Sequence, residues 1–352
     1  MTDLSPYLPD ELKRLPQSQS TIPSIARDSL LVDTISRAVS RVPTRHELIL
    51  GDARTLERTA DGTVHLVLTS PPYWSLKSYR DSVGQLGHTE DYDEFVCEID
   101  RVWKRCFDAL VPGGRLVCVV GDVCLSRREN EGRHTVVPLH SSIQLSCREI
   151  GFDNLAPIIW HKIANAKYEA GGNSSFLGKP YEPNAVVKND IEFILMLRKP
   201  GGYRSPDWAT KLFSVISAAD HREWFQQIWS DIPGASTKEH PAPFPLELAS
   251  RLIRMFSFVG DTILDPFGGS GTTSTAAALA GRNSVMYEID PEYYRLGWKR
   301  LHAETNSLFG STTLVPSSLS SKNPNESKNR AGRGDQAILE HAGNPSRETG
   351  RH

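Results

Sequence analysis

Apolar and polar positions follow two alternating patterns between residues 44 and 302. Short apolar runs typical of buried strands alternate with longer stretches whose apolar residues recur at helical spacing. This alternation predicts a doubly wound, mostly parallel α/β sheet. We expect strands at His46–Leu50, Val64–Thr69, Arg115–Val120, Leu155–Trp160, Ile191–Leu197, Thr262–Leu264 and Ser284–Ile289. We expect helices at 91–110, Leu139–Ile150, Pro245–Phe256 and Thr272–Ala280.

The two ends of the chain have a different character. Prolines at five positions interrupt the first 43 residues, although an amphipathic piece at Asp28–Val42 is expected to pack on the body. Residues 311–352 contain no aromatic residue and few large aliphatic ones. Too little apolar surface is available there to offset the entropy lost on ordering, so the sequence favours a disordered tail.

Composition excludes several classes of protein. The chain has 352 residues, of which 39% are hydrophobic and 23% charged, and its net charge is -2. That charge excludes a uniformly basic nucleic-acid binder but not a locally basic face. Five cysteines without a CxxC pair disfavour a disulfide framework or a metal site, and they fit a reducing compartment. No signal-peptide pattern or long apolar run is present, so we expect a cytoplasmic protein.

A glycine-rich turn follows the strand at Thr262–Leu264. It reads Asp265-Pro266-Phe267-Gly268-Gly269-Ser270-Gly271-Thr272 and leads into a helix. Such a turn offers backbone N–H groups to a ligand, and Glu288 at the end of the next strand can accept ribose hydroxyls. A P-loop would require lysine where Thr272 stands, and Ser274 fits a dinucleotide site poorly. Two possibilities remain for this turn. It binds a nucleoside without phosphates, such as S-adenosylmethionine, or it binds no ligand.

A second turn combines two prolines with large aromatic residues. Ser70-Pro71-Pro72-Tyr73-Trp74 follows the strand Val64–Thr69 directly, and the prolines fix the backbone at the carboxyl end of that strand. Fixed oxygen acceptors there could bind the N–H groups of an exocyclic amine and direct its lone pair at a methyl donor. A proline turn with a packed tyrosine is the structural alternative.

Together these two segments resemble the amino-type DNA methyltransferases, the N4-cytosine/N6-adenine family. Ser70-Pro71-Pro72-Tyr73 matches the family's catalytic motif, and Phe267-Gly268-Gly269-Ser270-Gly271 matches its cofactor motif. The catalytic motif comes first, as in the permuted β group, and the resemblance spans about residues 46–302. It implies a circularly permuted, Rossmann-like methyltransferase sheet with an inserted target-recognition region.

The resemblance also implies roles for single residues. Ser70 and the carbonyl of Pro71 would orient the target amine, Pro72 would hold the turn, and Tyr73 would stack on a base flipped out of duplex DNA. S-adenosylmethionine would be held by Asp52, Pro245, Asp265, Phe267, Gly269, Gly271, Thr272 and Glu288. DNA would be contacted by Trp74, Arg127, Arg128, Lys162, Lys167, Lys199 and Arg204.

The expected reaction is methyl transfer to the N4 amine of cytosine in a specific duplex sequence. Ser70 in the first catalytic position is the family variant most associated with cytosine, whereas methylation at C5 would need a cysteine after a proline, which is absent. An N6-adenine enzyme and a non-catalytic DNA-binding relative remain alternatives. The resemblance also implies a cognate restriction endonuclease as a partner besides DNA. It implies a prokaryotic, nucleoid-associated protein that is a monomer or a dimer.

The same resemblance divides the chain into five parts. Residues 1–43 form an N-terminal extension, 44–162 the catalytic half and 240–302 the cofactor-binding half. Between the halves, 163–239 would read the DNA sequence, with strand 191–197 returning to the sheet, and 303–352 would be a disordered tail.

Overall fold

A nine-stranded mixed sheet forms the centre of the protein in the computed structural model, which describes residues 3–74, 80, 82–128, 130–162, 189–235, 244–306 and 311–318. Its strands are β1 (Thr44–Leu50), β2 (Val64–Thr69), β3 (Leu110–Val120), β6 (Asp153–His161), β7 (Ile191–Arg198), β8 (Ile228–Trp229), β9 (Thr262–Asp265), β10 (Asn283–Glu288) and β11 (Thr312–Ser318). The hairpin formed by β4 (Val123–Leu125) and β5 (Thr135–Val137) is separate from the sheet.

The strand order creates one edge at which several chain segments meet. The order is β11-β1-β10-β9-β2-β3-β7-β6-β8, and the first six of these strands are parallel. Because β7 is antiparallel to both β3 and β6, the start of β7 and the end of β6 lie at the same edge as the end of β3. We call this the carboxyl edge, and ligands of doubly wound α/β folds bind there.

Helices cover the sheet and bury their apolar stripes against it. In the described part of the chain they are α1 (Asp10–Lys13), α2 (Thr21–Arg27), α3 (Ser29–Val39), α4 (Tyr92–Ala109), α5 (Leu139–Ile150), α6 (Trp208–Phe213), α7 (Ala218–Trp224), α8 (Leu246–Phe256), α9 (Thr272–Leu279) and α10 (Pro291–Thr305). Asp91 caps α4 by accepting the N–H of Glu94, and Gly151 ends α5 with φ of 119°. None of these described helices has the length and apolarity needed to span a bilayer.

The predicted pattern of strands and helices is confirmed, with shifts of a few residues at their ends. Pro245 is the N-cap of α8 rather than its first residue. A larger difference concerns the tail, which was expected to be disordered from residue 303. Helix α10 continues to Thr305, and β11 pairs in parallel with β1 along Thr44–Leu50. Backbone pairing and the packing of Leu314 against a small core cluster stabilise this edge strand, which composition alone does not reveal.

The proline-interrupted N-terminal extension is part of the folded body. Leu4, Leu12 and Ile25 are almost completely buried. They share a core cluster with Leu212 and Phe213 of α6 and with the buried part of α3, whose N-cap Asp28 accepts two backbone N–H groups. The predicted packing of 28–42 on the body is therefore confirmed, and it extends to the residues before it.

Replacing Leu12 with alanine should lower the free energy of unfolding by about 2–5 kcal/mol, because a fully buried leucine side chain is lost and a cavity remains. Chemical denaturation followed by tryptophan fluorescence measures this change. The matched control is Leu30→Ala, since Leu30 is 75% exposed and should change stability by less than about 0.5 kcal/mol. Similar losses for both variants would contradict the placement of Leu12 in the core.

Candidate active site

A pocket at the carboxyl edge joins segments from both halves of the chain. It is lined from the catalytic half by Gly51, Asp52, Ala53, Ser70, Pro72, Gly84, Gln85 and Leu86, and from the cofactor half by Pro266, Phe267, Gly269, Glu288, Ile289 and Tyr293. The structure therefore brings together six residues that the sequence predicts at the site, namely Asp52, Ser70, Pro72, Phe267, Gly269 and Glu288.

Asp265 holds the two halves together from behind this pocket. Its carboxylate is 2% exposed, and Oδ1 accepts the hydroxyl of Thr69 at 2.7 Å and the backbone N–H of Phe267 at 3.1 Å. Burial raises the pKa of Asp265 to about 6. The structure thus places Asp265 outside the pocket lining, where it supports the loop instead of meeting a ligand as predicted.

The glycine loop has the backbone geometry that its glycines predict. Gly269 and Gly271 have φ of 50° and 75°, and Gly271 begins α9. A Cβ atom on Gly271 would lie 3.0 Å from the Cα of Gly297 in α10, so the loop and that helix are in close contact. The Thr272 hydroxyl accepts from Arg300 of α10 at 2.9 Å. Gly271 and Thr272 therefore shape the loop and do not line the pocket.

Glu288 presents a buried carboxylate at the end of β10. Its Oε2 accepts the N–H of Gly269 and its Oε1 accepts the N–H of Asp290, both at 2.8 Å. Burial raises the pKa of Glu288 to about 7, against the opposing effect of these two hydrogen bonds. The carboxylate is thus fixed beside the glycine loop and lines the pocket.

The Ser-Pro-Pro-Tyr turn lies where β2 ends, beside the glycine loop. Ser70 Oγ is 3.2 Å from the hydroxyl of Tyr73, whose side chain is only 6% exposed. The next residue, Trp74, has φ of 43° and donates from Nε1 to the carbonyl of Thr89 at 2.9 Å. It also packs edge-on against Tyr92, at 5.1 Å between ring centroids. These contacts fix the position of Trp74, the residue predicted to meet DNA.

Known proteins share this architecture and much of this sequence. Residues 64–299 match the N6/N4 family model described as DNA methylase. The type II methyltransferase M.MjaI of Methanocaldococcus jannaschii is 35% identical over 280 residues, which cover 71% of this chain and 88% of the relative.

The chain belongs to the N6/N4 DNA methylase family.

Solved structures support the same assignment of fold. TTHA0409 of Thermus thermophilus, described as a DNA modification methylase and crystallised with S-adenosyl-L-methionine, is 49% identical. It covers 77% of this chain and 98% of its own, with a TM-score of 0.63. The cytosine-N4-specific PvuII DNA methyltransferase shares the fold, with a TM-score of 0.53 and 20% sequence identity. The match covers 78% of this chain and 96% of that protein.

Two basic residues predicted to bind DNA have structural roles in this methylase. The ammonium of Lys199 donates to the carbonyls of Phe107 and Leu110 at 2.7 and 2.8 Å, at the start of β3. Arg204 pairs through two nitrogens with buried Asp261, each at 2.6 Å, just before β9. Both sites lie at the edge opposite the pocket, so the structure gives no support to the predicted contacts of Lys199 and Arg204 with DNA.

Other predicted DNA contacts lie at the carboxyl edge of the methylase or outside the described residues. Arg127 and Arg128 are exposed on the β4–β5 hairpin, which begins just after β3. Lys162, at the end of β6, donates to Glu192 at 2.6 Å. Lys167 lies outside the described residues.

The window predicted to read DNA, 163–239, belongs to the methylase fold over much of its described length. Strand β7 returns to the sheet as predicted, and the short strand β8 pairs with β6. Trp224, Trp229 and Ile232 are buried in the main core cluster. Large apolar side chains at these positions are better accounted for by core packing than by an exposed reading region.

Sequence reasoning missed several residues of the methylase pocket. Tyr293 could have been found, because Asp290-Pro291 is a typical helix start that places the following turn beside Glu288. Gln85 and Leu86 come from the connection between β2 and α4, where Leu86 begins a single 3-10 turn. Arg54 does not line the pocket itself, but it forms ion pairs with Asp52 and Glu98. No sequence pattern marks these three residues.

Replacing Gly271 with alanine should destabilise the methylase more than the same change at Gly62. Both glycines have positive φ, which costs an alanine about 1–2 kcal/mol. Only at Gly271 would the new Cβ meet backbone atoms, those of Gly297, whereas nothing lies within 4 Å at Gly62. Urea denaturation should show an extra loss of roughly 1 kcal/mol or more at Gly271. Equal losses would mean that the contact between the loop and α10 is not restrictive.

Proposed function

We propose that this protein transfers a methyl group from S-adenosylmethionine to the N4 amine of cytosine within a specific sequence of duplex DNA. The observation that carries the proposal is a single pocket lined by Ser70 of the catalytic motif and by Gly269 and Glu288 of the cofactor motif. Membership of the N6/N4 DNA methylase family restricts the reaction to an exocyclic amine of a DNA base. Type II relatives make a cognate restriction endonuclease the expected partner protein.

The pocket residues fit S-adenosylmethionine. Glu288 offers a fixed carboxylate for the ribose hydroxyls, and Asp52 at the end of β1 offers one for the adenine amine. Positive φ at Gly269 brings the backbone close to the ligand, and Phe267 supplies apolar contact. When bound, the cofactor would supply an electrophilic methyl group: a bond from nitrogen to carbon would form as the bond from carbon to sulfur breaks, which leaves a neutral thioether, and the nitrogen would then release its extra proton to water.

The catalytic turn orients the amine that receives the methyl group. An exocyclic amine is a weak nucleophile because its lone pair is delocalised into the base. Ser70 Oγ and the carbonyl of Pro71 accept its two N–H groups, which favours a pyramidal nitrogen with a localised lone pair. Rigid prolines keep these acceptors in place, so positioning supplies much of the rate. Tyr73 stacks on the flipped base, while its hydroxyl near Ser70 helps to fix the serine side chain.

Cytosine is favoured over adenine by the serine in the first catalytic position. The hydroxyl of Ser70 is neutral and half-buried. Asp52 and Glu288 place carboxylates elsewhere in the pocket lining, but the first position of the catalytic motif has none. The alternative is an N6-adenine methylase built on the same fold.

DNA would approach the carboxyl edge. The exposed hairpin residues Arg127 and Arg128 and the strand-end Lys162 are placed to meet phosphates around the target base. Both arginines are exposed to solvent on this hairpin.

Incubation of the protein with unmethylated genomic DNA and labelled S-adenosylmethionine, followed by nucleoside analysis, should give labelled N4-methylcytosine. Ser70→Ala should reduce turnover by roughly two orders of magnitude or more while binding of the DNA duplex persists, because it loses one acceptor of the oriented amine. Ser5→Ala is a matched control at an exposed serine remote in sequence from the site. Labelled N6-methyladenine would favour the alternative enzyme, and absence of any labelled nucleoside would reject the proposal.

Binding of the cofactor's nucleoside should tighten with rising pH. Ribose hydroxyls donate to ionised Glu288, whose pKa in the free protein is raised to about 7, so binding below that pH must first release a proton. Methylthioadenosine is a suitable ligand because it does not itself titrate between about pH 5.5 and 8.5. Its dissociation constant, measured calorimetrically, should fall about tenfold between pH 6 and pH 8.

The variant Glu288→Gln provides the control for this pH dependence. It cannot ionise, so it should bind methylthioadenosine more weakly and with little change across the same pH range. A wild-type profile as flat as that of the variant would show that Glu288 is not the group linked to binding.

A further inference from the structure

The carboxylate of Asp52 in the pocket is held by a neighbouring arginine. Arg54 donates from Nε to both oxygens of Asp52, at 3.0 and 2.8 Å, and from its terminal nitrogen to Oδ2 at 2.5 Å. The backbone N–H of Arg54 also donates to Oδ1 at 2.9 Å. A carboxylate bound through both oxygens has a fixed orientation, and charge-assisted pairs of this kind are stronger than neutral hydrogen bonds.

A second carboxylate on α4 holds the arginine in turn. The other terminal nitrogen of Arg54 donates to Glu98 at 2.5 Å, and the two side chains are only 22% and 24% exposed. The hydrogen bond from Arg54 lowers the pKa of Glu98, and the bond to Asp52 is the main reason that the pKa of Arg54 is raised. The guanidinium therefore remains charged and bridges the end of β1 to α4.

The same guanidinium lies next to residues that line one end of the pocket. A Cβ atom on Gly84 would lie 3.0 Å from a terminal nitrogen of Arg54, 3.0 Å from the side chain of Ile289 and 3.9 Å from Oδ2 of Asp52. Gly84, Ile289 and Asp52 all line the pocket. Arg54 therefore lies against the lining residue Gly84, where it can hold Asp52 in one orientation.

We propose that Arg54, held by Glu98, is a positioning residue that makes the pocket selective for a 6-amino purine. The inference rests on the proposed function, in which Asp52 accepts the adenine amine of the cofactor. A fixed carboxylate oxygen accepts an amine at that position but repels the carbonyl oxygen that replaces it in a hypoxanthine ring. A carboxylate free to rotate could instead accept the ring N1–H of hypoxanthine, so selectivity depends on Asp52 being held.

The test compares two ligands that differ only at this purine position, S-adenosylhomocysteine and S-inosylhomocysteine, by calorimetry. The wild-type protein should prefer the adenosyl ligand by roughly 10- to 100-fold, as expected when a hydrogen bond to a charged group is replaced by a repulsive contact. Arg54→Ala and Glu98→Ala should reduce this preference to within about threefold, mainly by weakening binding of the adenosyl ligand.

Three comparisons make the result specific. Glu98→Gln keeps an acceptor for Arg54 and should restore most of the preference. Glu94→Ala removes an exposed acid one turn earlier on α4 and should bind both ligands as the wild type does. Thermal melting of each variant separates a loss of selectivity from a loss of folding.

The outcomes separate this inference from the proposed function. If Arg54→Ala and Glu98→Ala melt earlier but keep the wild-type preference, the arginine only ties β1 to α4 and the inference is overturned, while the proposed function stands. If the wild-type protein binds neither ligand and methylates no DNA, the proposed function itself fails. A wild-type protein that methylates DNA but binds both ligands equally also rejects the inference.

Discussion

The geometry of the pocket depends on one buried carboxylate. Asp265 joins Thr69, the last residue of β2, to the backbone of Phe267 in the glycine loop, across 196 residues of sequence in the first case. Burial makes the charged form of this group costly, so its hydrogen bonds must be kept for the site to hold its shape. The catalytic turn and the cofactor loop each leave the sheet immediately after this contact. Their relative position is therefore set where β2 and β9 pair, before either loop begins.

Helix α4 adds a second, more distributed constraint. Tyr92 contacts Trp74 beside the catalytic turn, Glu98 holds Arg54 and through it Asp52, and Trp103 packs edge-on against Phe267 at 6.1 Å. Because a capped helix with a buried apolar face is stiff, these contacts hold three otherwise separate loops against one rigid body. Substitutions on the pocket side of α4 are therefore expected to affect several parts of the site together.

The sequence predicted the sheet and much of the pocket because their signals are local. Apolar runs, the proline turn and the glycine turn each specify a backbone conformation, and parallel strands bring their carboxyl ends together whatever the loops contain. The roles of single charged side chains could not be predicted in this way. Lys199 and Arg204 are of the residue types that contact DNA phosphates. Yet Lys199 donates to backbone carbonyls and Arg204 pairs with buried Asp261, both at the edge of the sheet opposite the pocket. Strand β11 was missed because an edge strand can be stabilised by pairing with β1 despite weak apolar content.

The strand order also determines when the site can form during synthesis. Strand β1 lies between β10 and β11, so an element made near the start of the chain pairs on both sides with elements made near its end. Strand β2 likewise cannot pair with β9 until β9 has been synthesised. Such long-range pairings form slowly because distant segments of the chain must meet first. A ribosome that has released only the first 250 residues has therefore exposed the whole catalytic turn without its glycine loop. The strand order therefore delays assembly of the pocket until both β9 and β10 have been synthesised.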